Sequence, residues 1–291
     1  MTIESGIRLE FAQFGHFDSF DVIRSMTSMV GVADMDLPTP IATGLKTMYY
    51  VDTNVIKSRM YFYKVRVHRG GISFVSAELK TYAIPAESYI FKTPFSVNFT
   101  DDAGKFWNSV GYTSIALNAL KLTNTGTTVQ MYLSTNIANF SRVFSTADFS
   151  MRMKIKFDRT TGTHILCSCR NYSQGAGFFL GISDGVLMFY TYNNSTTPNI
   201  VLEQPVVLNT NDFFEVSIER KDQKYYLYFK YLLLSSSGIT TGIKAPTSTQ
   251  LGGVTLGAMS DDNRYFLSGY LKDFELFDFA LGDGGSQSPI F

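Results

Sequence analysis

The sequence predicts an all-β chain built as two successive sandwiches, and three observations predict it. Aromatic residues make up 15% of the 291 residues, with 25 Phe and 17 Tyr, against only 17% charged residues. That balance suits half-buried pleated strands. Short runs alternate apolar and polar residues and are punctuated by Gly, Asn and Ser turns. No run carries the apolar period of a helix of ordinary length.

The first part, residues 1–84, reads as a small sandwich. Its strand runs are "IRLEF", "FDVIRSM", "MYYVDT", "MYFYKVRVHR" and "ISFVSAELKTY", separated by "GHFDS", the Pro-containing "LPTPIATGL" and "RGG". In the fourth run Tyr61, Tyr63, Val65 and Val67 fall on one face, and Gly70 with Gly71 suits a tight hairpin. Residues 85–94, opened by Pro85 and closed by Pro94, read as a linker.

Residues 95–291 repeat the pattern on a larger scale. "FSVNFT" reads as the opening strand, followed by "ALKLTN", "VQMYLS", "FSMRMKIKFD", "HILCSCR", "GFFLGISDGVLMFYTY" and "NIVLEQPVV". "FFEVSIERKDQKYYLYFKYLLLS" then turns at Lys221–Lys224, and "GGVTLGAM" leads to the closing "RYFLSGYLKDFELFDFAL".

Composition excludes several function classes. Lys plus Arg number 25 and Asp plus Glu 25, so no net charge draws the chain to nucleic acid or an anionic membrane. No run approaches the ~18 apolar residues of a spanning helix, and "MTIESGIRLEF" lacks the pattern of a secretory signal. Cys167 and Cys169 share a strand face, which suits a buried thiol pair rather than a disulfide or a zinc site.

Residues 6–83, from "FDVIRSM" through "TPIATGLKTMYYVDTNVIKSRMYFYKVRVHRGGISFVSAEL", resemble the fibronectin type III fold with its first strand short or missing. That resemblance implies an unpaired sandwich edge needing cover. Residues 95–282 resemble the laminin G-like, concanavalin A-like jelly roll, carried by "FSMRMKIKF", "GFFLGISDGVLMFYT", "FFEVSIERKDQKYYLYFK", "VTLGA" and "SGYLKDFELFD" with Gly269 at a bend. It implies that the last strand closes a lectin-like sandwich. The fold class expected is therefore a fibronectin type III-like sandwich followed by a concanavalin A-like jelly roll.

Chemistry is sparse. Glu215 with Glu219, and Asp273, Glu275 and Asp278, are the nearest approach to the paired carboxylates of a glycoside hydrolase. Alternation with Val216, Ile218, Phe274 and Leu276 places them instead on a solvated outer face. His16, His68 and His164 have no partner cue, and no nucleophile elbow or phosphate loop appears.

The jelly-roll resemblance implies rim loops that bind sugars and, in many members, calcium. Asn171, Tyr172, Gln174, Tyr192, Asn193, Asn194, Arg264 and Tyr265 are the candidate carbohydrate residues. Asp184, Asp261, Asp262 and Asn263 are the candidate calcium ligands, although Asp, Asn and Gly are also simply what turns use.

The tandem arrangement resembles tailed-bacteriophage virion proteins. It implies a non-enzymatic tail component that assembles with other virion proteins, binds a host-surface glycan, and forms a homo-oligomer in the particle. A capsid decoration module and a polysaccharide-degrading jelly-roll enzyme are the alternatives.

Overall fold

A computed structural model describes residues 6–12, 15–56, 59–83, 89–96, 98–100, 105–111, 113–123, 132–261 and 265–282. The regular structure among the described residues is nearly all strand, as the aromatic and alternating composition dictates, and these residues fall into two compact units divided after residue 88.

The first unit holds strands β1 (Ile7–Glu10), β2 (Ser19–Ser25), β3 (Ala42–Leu45), β4 (Tyr49–Asp52), β5 (Met60–Arg69), β6 (Ile72–Val75) and β7 (Leu79–Tyr82). The order β3-β2-β5-β6, with β7 also on β5, makes a five-stranded sheet; β1 and β4 make a two-stranded one. Ile7 and Leu9 of β1 pack against Val22, Tyr61 and Tyr63 across the gap. Asp52, 1% exposed, ties the layers together by accepting from Arg24 Nη1 at 2.9 Å and from the Tyr63 hydroxyl at 2.7 Å. Burial, reinforced by that carboxylate, pushes the Tyr63 phenol pKa well up.

The second unit holds β8 (Tyr89–Thr93), β9 (Asn108–Val110), β10 (Ser114–Ala116), β11 (Ala119–Leu122), β12 (Tyr132–Thr135), β13 (Phe149–Phe157), β14 (Thr163–Asn171) and β15 (Ala176–Ser183). It continues with β16 (Val186–Asn193), β17 (Ile200–Pro205), β18 (Phe214–Lys221), β19 (Lys224–Phe229), β20 (Leu232–Ser236), β21 (Val254–Leu256) and β22 (Gly269–Phe277). One sheet runs β10-β11-β22-β13-β18-β19-β20, with β8 also on β22; the other runs β17-β16-β15-β14-β21-β12-β9. All pairings are antiparallel.

The core lies between these two sheets. Met151, Met153 and Ile155 of β13 meet Phe178 and Leu180 of β15, all 0% exposed. The single Trp, Trp107, sits among Phe91, Phe95, Phe140 and Phe274 with ring centroids 5.1–6.4 Å away. Its indole N–H donates to Thr93 at 3.2 Å, so the ring is buried without a stranded donor. Cys167 and Cys169 are free and buried in this core; burial pushes the Cys169 thiol up to about 12.

Three readings from the sequence need correction. Tyr89–Thr93, read as linker, is strand β8 and pairs with Phe274–Phe277 of the closing strand. "FSVNFT", read as the opening strand, forms no named strand among its described residues, which contribute a bridge from Thr100 to Phe106. Glu215 and Glu219, read as solvated, are 8% and 0% exposed. The chain after β22 folds back over Glu219, where Gly282 N–H donates to it at 2.9 Å and Leu281 N–H to the facing Ser150 at 2.8 Å, while Glu215 is enclosed among Arg152, Lys154 and Tyr231. Asp273 and Glu275 do lie opposite buried Phe274 and Leu276, and are paired to Lys154 and Arg152.

His164 supplies a pH-dependent element of stability. It is fully buried, its ring edge-on to Phe157 at 5.3 Å, and burial holds its pKa below the ordinary 6.5. The folded chain therefore takes up this proton less readily than the unfolded one. The contribution is fully present above about pH 6.5 and is lost as pH falls through and below that value. Urea unfolding at pH 7 and 5 should show a larger acid loss for the native chain than for His164→Gln; equal losses would assign the pH dependence elsewhere.

Candidate recognition site at one end of the seven-stranded sheet

The candidate sugar residues converge because of strand register. Asn171 faces Ala176 across β14 and β15, and Ala176 faces Asn193 of β16. One step inward, Arg170 faces Gly177, which faces Tyr192. Gly177 has no side chain, so Arg170 and Tyr192 reach across it, and Arg170 Nη1 donates to the Tyr192 hydroxyl at 3.3 Å. The guanidinium centre lies 5.5–5.6 Å from the ring centroids of Tyr172, Phe179 and Tyr192, within cation–π range.

Asp261 holds this arginine. Both its carboxylate oxygens accept from Arg170 Nε at 3.0 Å, and one also accepts from the Tyr172 backbone N–H at 2.8 Å. Side-chain exposures of 15% for Arg170 and 9% for Asp261 make this a largely desolvated pair, engaged on every oxygen. The neighbouring turn, Tyr172–Gln174, is fixed from both sides. Asn171 caps it by accepting from Gln174 N–H at 3.2 Å, while the Gln174 side chain donates to Thr247 Oγ1 at 2.6 Å and accepts from Thr247 N–H at 3.0 Å. Asn171 Nδ2 also donates to the Ser248 carbonyl at 2.9 Å.

The result is a rigid rim from which Tyr172 projects, 53% exposed, beside the exposed Asn194. Asn193 donates to Thr241 at 3.2 Å and is half-buried. Below the rim the outer sheet face continues as the row Phe179, Tyr190 and Val201 in direct register. Phe179 and Tyr190 rings lie 4.7 Å apart, and the Tyr190 hydroxyl donates to Glu203. Burial, with Glu203 beside it, pushes the Tyr190 pKa up to about 12.

Other candidates stand apart. Asp184 sits in the β15–β16 turn at φ 46, where its carboxylate accepts from Gly162 N–H at 2.7 Å. That turn is at the Thr163 end of β14, about 25 Å along the strand from Asn171. Asp184 and Asp261 therefore cannot share one ion. Asp262, Asn263 and Arg264 lie outside the described residues. Tyr265 is exposed and left-handed at φ 65, next to Phe266, whose ring stacks on Tyr132. Among the described residues, no three His, Cys, Asp or Glu side chains gather as a metal ion needs.

Arg170 and Phe179 are the residues that the sequence reading missed. The signal for Arg170 was its parity: alternation along β14 aims it outward, toward the same rim as Tyr172. Phe179, flanked by Gly177 and Gly181, read only as one of a run of core residues.

No protein-family model and no curated protein matches this chain. Solved structures do match in fold. A structure titled as the crystal structure of a receptor binding domain has 17% identity and TM-score 0.53, and covers 68% of this chain. The binding domain of botulinum neurotoxin DC in complex with rat synaptotagmin II has 16% identity and TM-score 0.52, over 68% of this chain. The same binding domain in complex with SialylT has 15% identity and TM-score 0.51, again over 68%. This chain covers 49% of each of these three chains. The likeness is one of fold, an all-β architecture matched over a share of the chain about as large as the second unit.

Proposed function

We propose that the chain is a non-catalytic recognition protein whose second unit binds oligosaccharide at the Tyr172 rim. The observation that carries this is the convergence of Tyr172, Asn171, Gln174, Tyr192, Asn193 and Asn194 on one sheet end, around a guanidinium fixed by Asp261. An exposed ring held rigidly among planar amides presents a stacking face and fixed hydrogen-bonding groups at low ordering cost. Structures of like fold include neurotoxin binding domains in complex with rat synaptotagmin II and with SialylT, which supports a binding role for this architecture.

The state of the carboxylates supports a role without catalysis. Glu275 is engaged by Arg152, Asp273 by Lys154, and Glu219 lies under the chain that follows β22. The setting that fits such a tandem all-β chain is a tailed-phage virion, the second unit facing host glycans and the first facing other particle proteins. A decoration role without any glycan is the alternative.

The test is an oligosaccharide array probed with the full-length chain, with and without a calcium chelator. Tyr172→Ala should weaken the best array ligand at least tenfold, equivalent to about 1.4 kcal/mol, while leaving the melting curve in place. Absence of any array binding, or binding untouched by Tyr172→Ala, counts against the reading.

A further inference from the structure

The first unit's layers are unequal: two strands face five. The consequence is visible along β5, whose inward stripe is Tyr61, Tyr63, Val65 and Val67. Tyr61 and Tyr63 are 3% and 1% exposed beneath β1 and β4, but Val65 and Val67 are only half-buried. Register carries the stripe onto β6: Val67 faces Phe74 and Arg69 faces Ile72, and both Phe74 and Ile72 are 61% exposed. Between β1 and β6 lies a cavity of about 550 Å³ lined mainly by Leu9, Phe11, Phe20, Val65, Val67 and Phe74.

The edge of β1 is the second observation. β1 pairs with β4 along one side, and among the described residues no strand pairs with its other side. A row of backbone donors and acceptors thus borders an apolar trough whose open side chains recur every second residue. Only an extended chain satisfies both features at once: its backbone continues the β1–β4 sheet and its alternate side chains cover Val65, Val67 and Phe74.

We propose that this groove accepts a β-strand from another polypeptide, with apolar residues at alternate positions, as a third strand beside β1. The described strands of this unit do not supply it, because β1 and β4 pair with each other and β2, β3, β5, β6 and β7 are paired in the opposite sheet.

The full-length chain would be titrated with a labelled synthetic peptide alternating Val and Thr, and with a peptide of the same composition whose valines are contiguous. Two further versions are N-methylated at the Val or at the Thr positions. Because successive N–H groups point to opposite strand edges, each methylation blocks one edge only. The alternating peptide should bind at least tenfold tighter than the contiguous one, and one methylated version should bind while the other fails. Phe74→Glu and Ile72→Ser, at exposed positions, should each weaken binding about tenfold without altering circular dichroism.

Equal binding of all four peptides, no binding by any, or indifference to Phe74→Glu overturns the proposal. So does a concentration-dependent dimer abolished by Phe74→Glu, which would give the groove to a second copy. Binding that emerges only when residues 283–291 are deleted would give it to the chain's own end and overturns the proposal equally.

Discussion

Replacing Gly177 with alanine lowers the stability of the folded chain by about 3 kcal/mol or more and destroys the candidate site with it. Gly177 has φ 105, a conformation that L side chains rarely adopt, and a Cβ built there would lie 1.8 Å from the Cys169 carbonyl oxygen of the paired strand. Backbone on a central strand cannot retreat as a flexible side chain would. The ladder between β14 and β15 has to open locally, and its inner face is the fully buried core of Cys169, Phe178 and Leu180. The same methyl would stand between Arg170 and Tyr192, which meet only across this bare position. For a unit of this size the loss corresponds to roughly 6–12 °C in the melting midpoint. A midpoint within about 2 °C of the native chain would show that the close approach has been misjudged. Gly269, at φ 155 and with a Cβ position 2.2 Å from the Lys156 carbonyl oxygen, obeys the same logic at the start of the closing strand.

Removing the Asp261 carboxylate strands Arg170. In Asp261→Ala the guanidinium keeps its three aromatic neighbours but loses its counter-charge in a place where little water reaches it. Breaking one side of such a desolvated pair costs about 3 kcal/mol, reduced here by the cation–π contacts that survive. The Tyr172 N–H also loses its acceptor, so the rim turn is freed on one side. The expected outcome is a lower melting midpoint together with loss of array binding. Asp261→Asn, which keeps an acceptor oxygen but not the charge, should fall between the two. If Asp261→Ala binds ligand as the native chain does, the arginine clip is not what orders the rim. Double substitution of Arg170 and Asp261 should recover part of the stability, since no buried charge is then left alone.

How much of this was legible in the sequence follows from the range of the interactions involved. Strands such as β5, β13 and β18 are written in period-two alternation, which is local, and their bounds could be read directly. β8 could not, because "YIFKT" sits near Pro85 and Pro94 and its partner, β22, lies far along the chain. Burial of Glu219 was equally invisible: the group that covers it is Gly282, 63 residues later. Period-two reasoning assigned that residue to the outer face correctly and then assumed that the face met water.

The site was partly legible for the same reason. Asn171, Tyr172 and Gln174 are turn-forming and aromatic residues beside a strand end, a local signature. Their union with Tyr192 and Asn193 depends on hairpin register, which β15 and β16 fix through the turn at Asp184 and Gly185. Parity along β14 aims Arg170 outward, but its pairing with Asp261 is a contact across 91 residues and left no mark in either segment.

Hydrogen–deuterium exchange of the full-length chain with its best array oligosaccharide tests the central claim most directly. The account predicts slowed exchange at residues 170–174, 193–195 and 247–249, the three segments that the rim brings together, and little change along β13 and β18. Protection confined to the opposite sheet, to β5 and β6, or to no segment of the Tyr172 rim would contradict it.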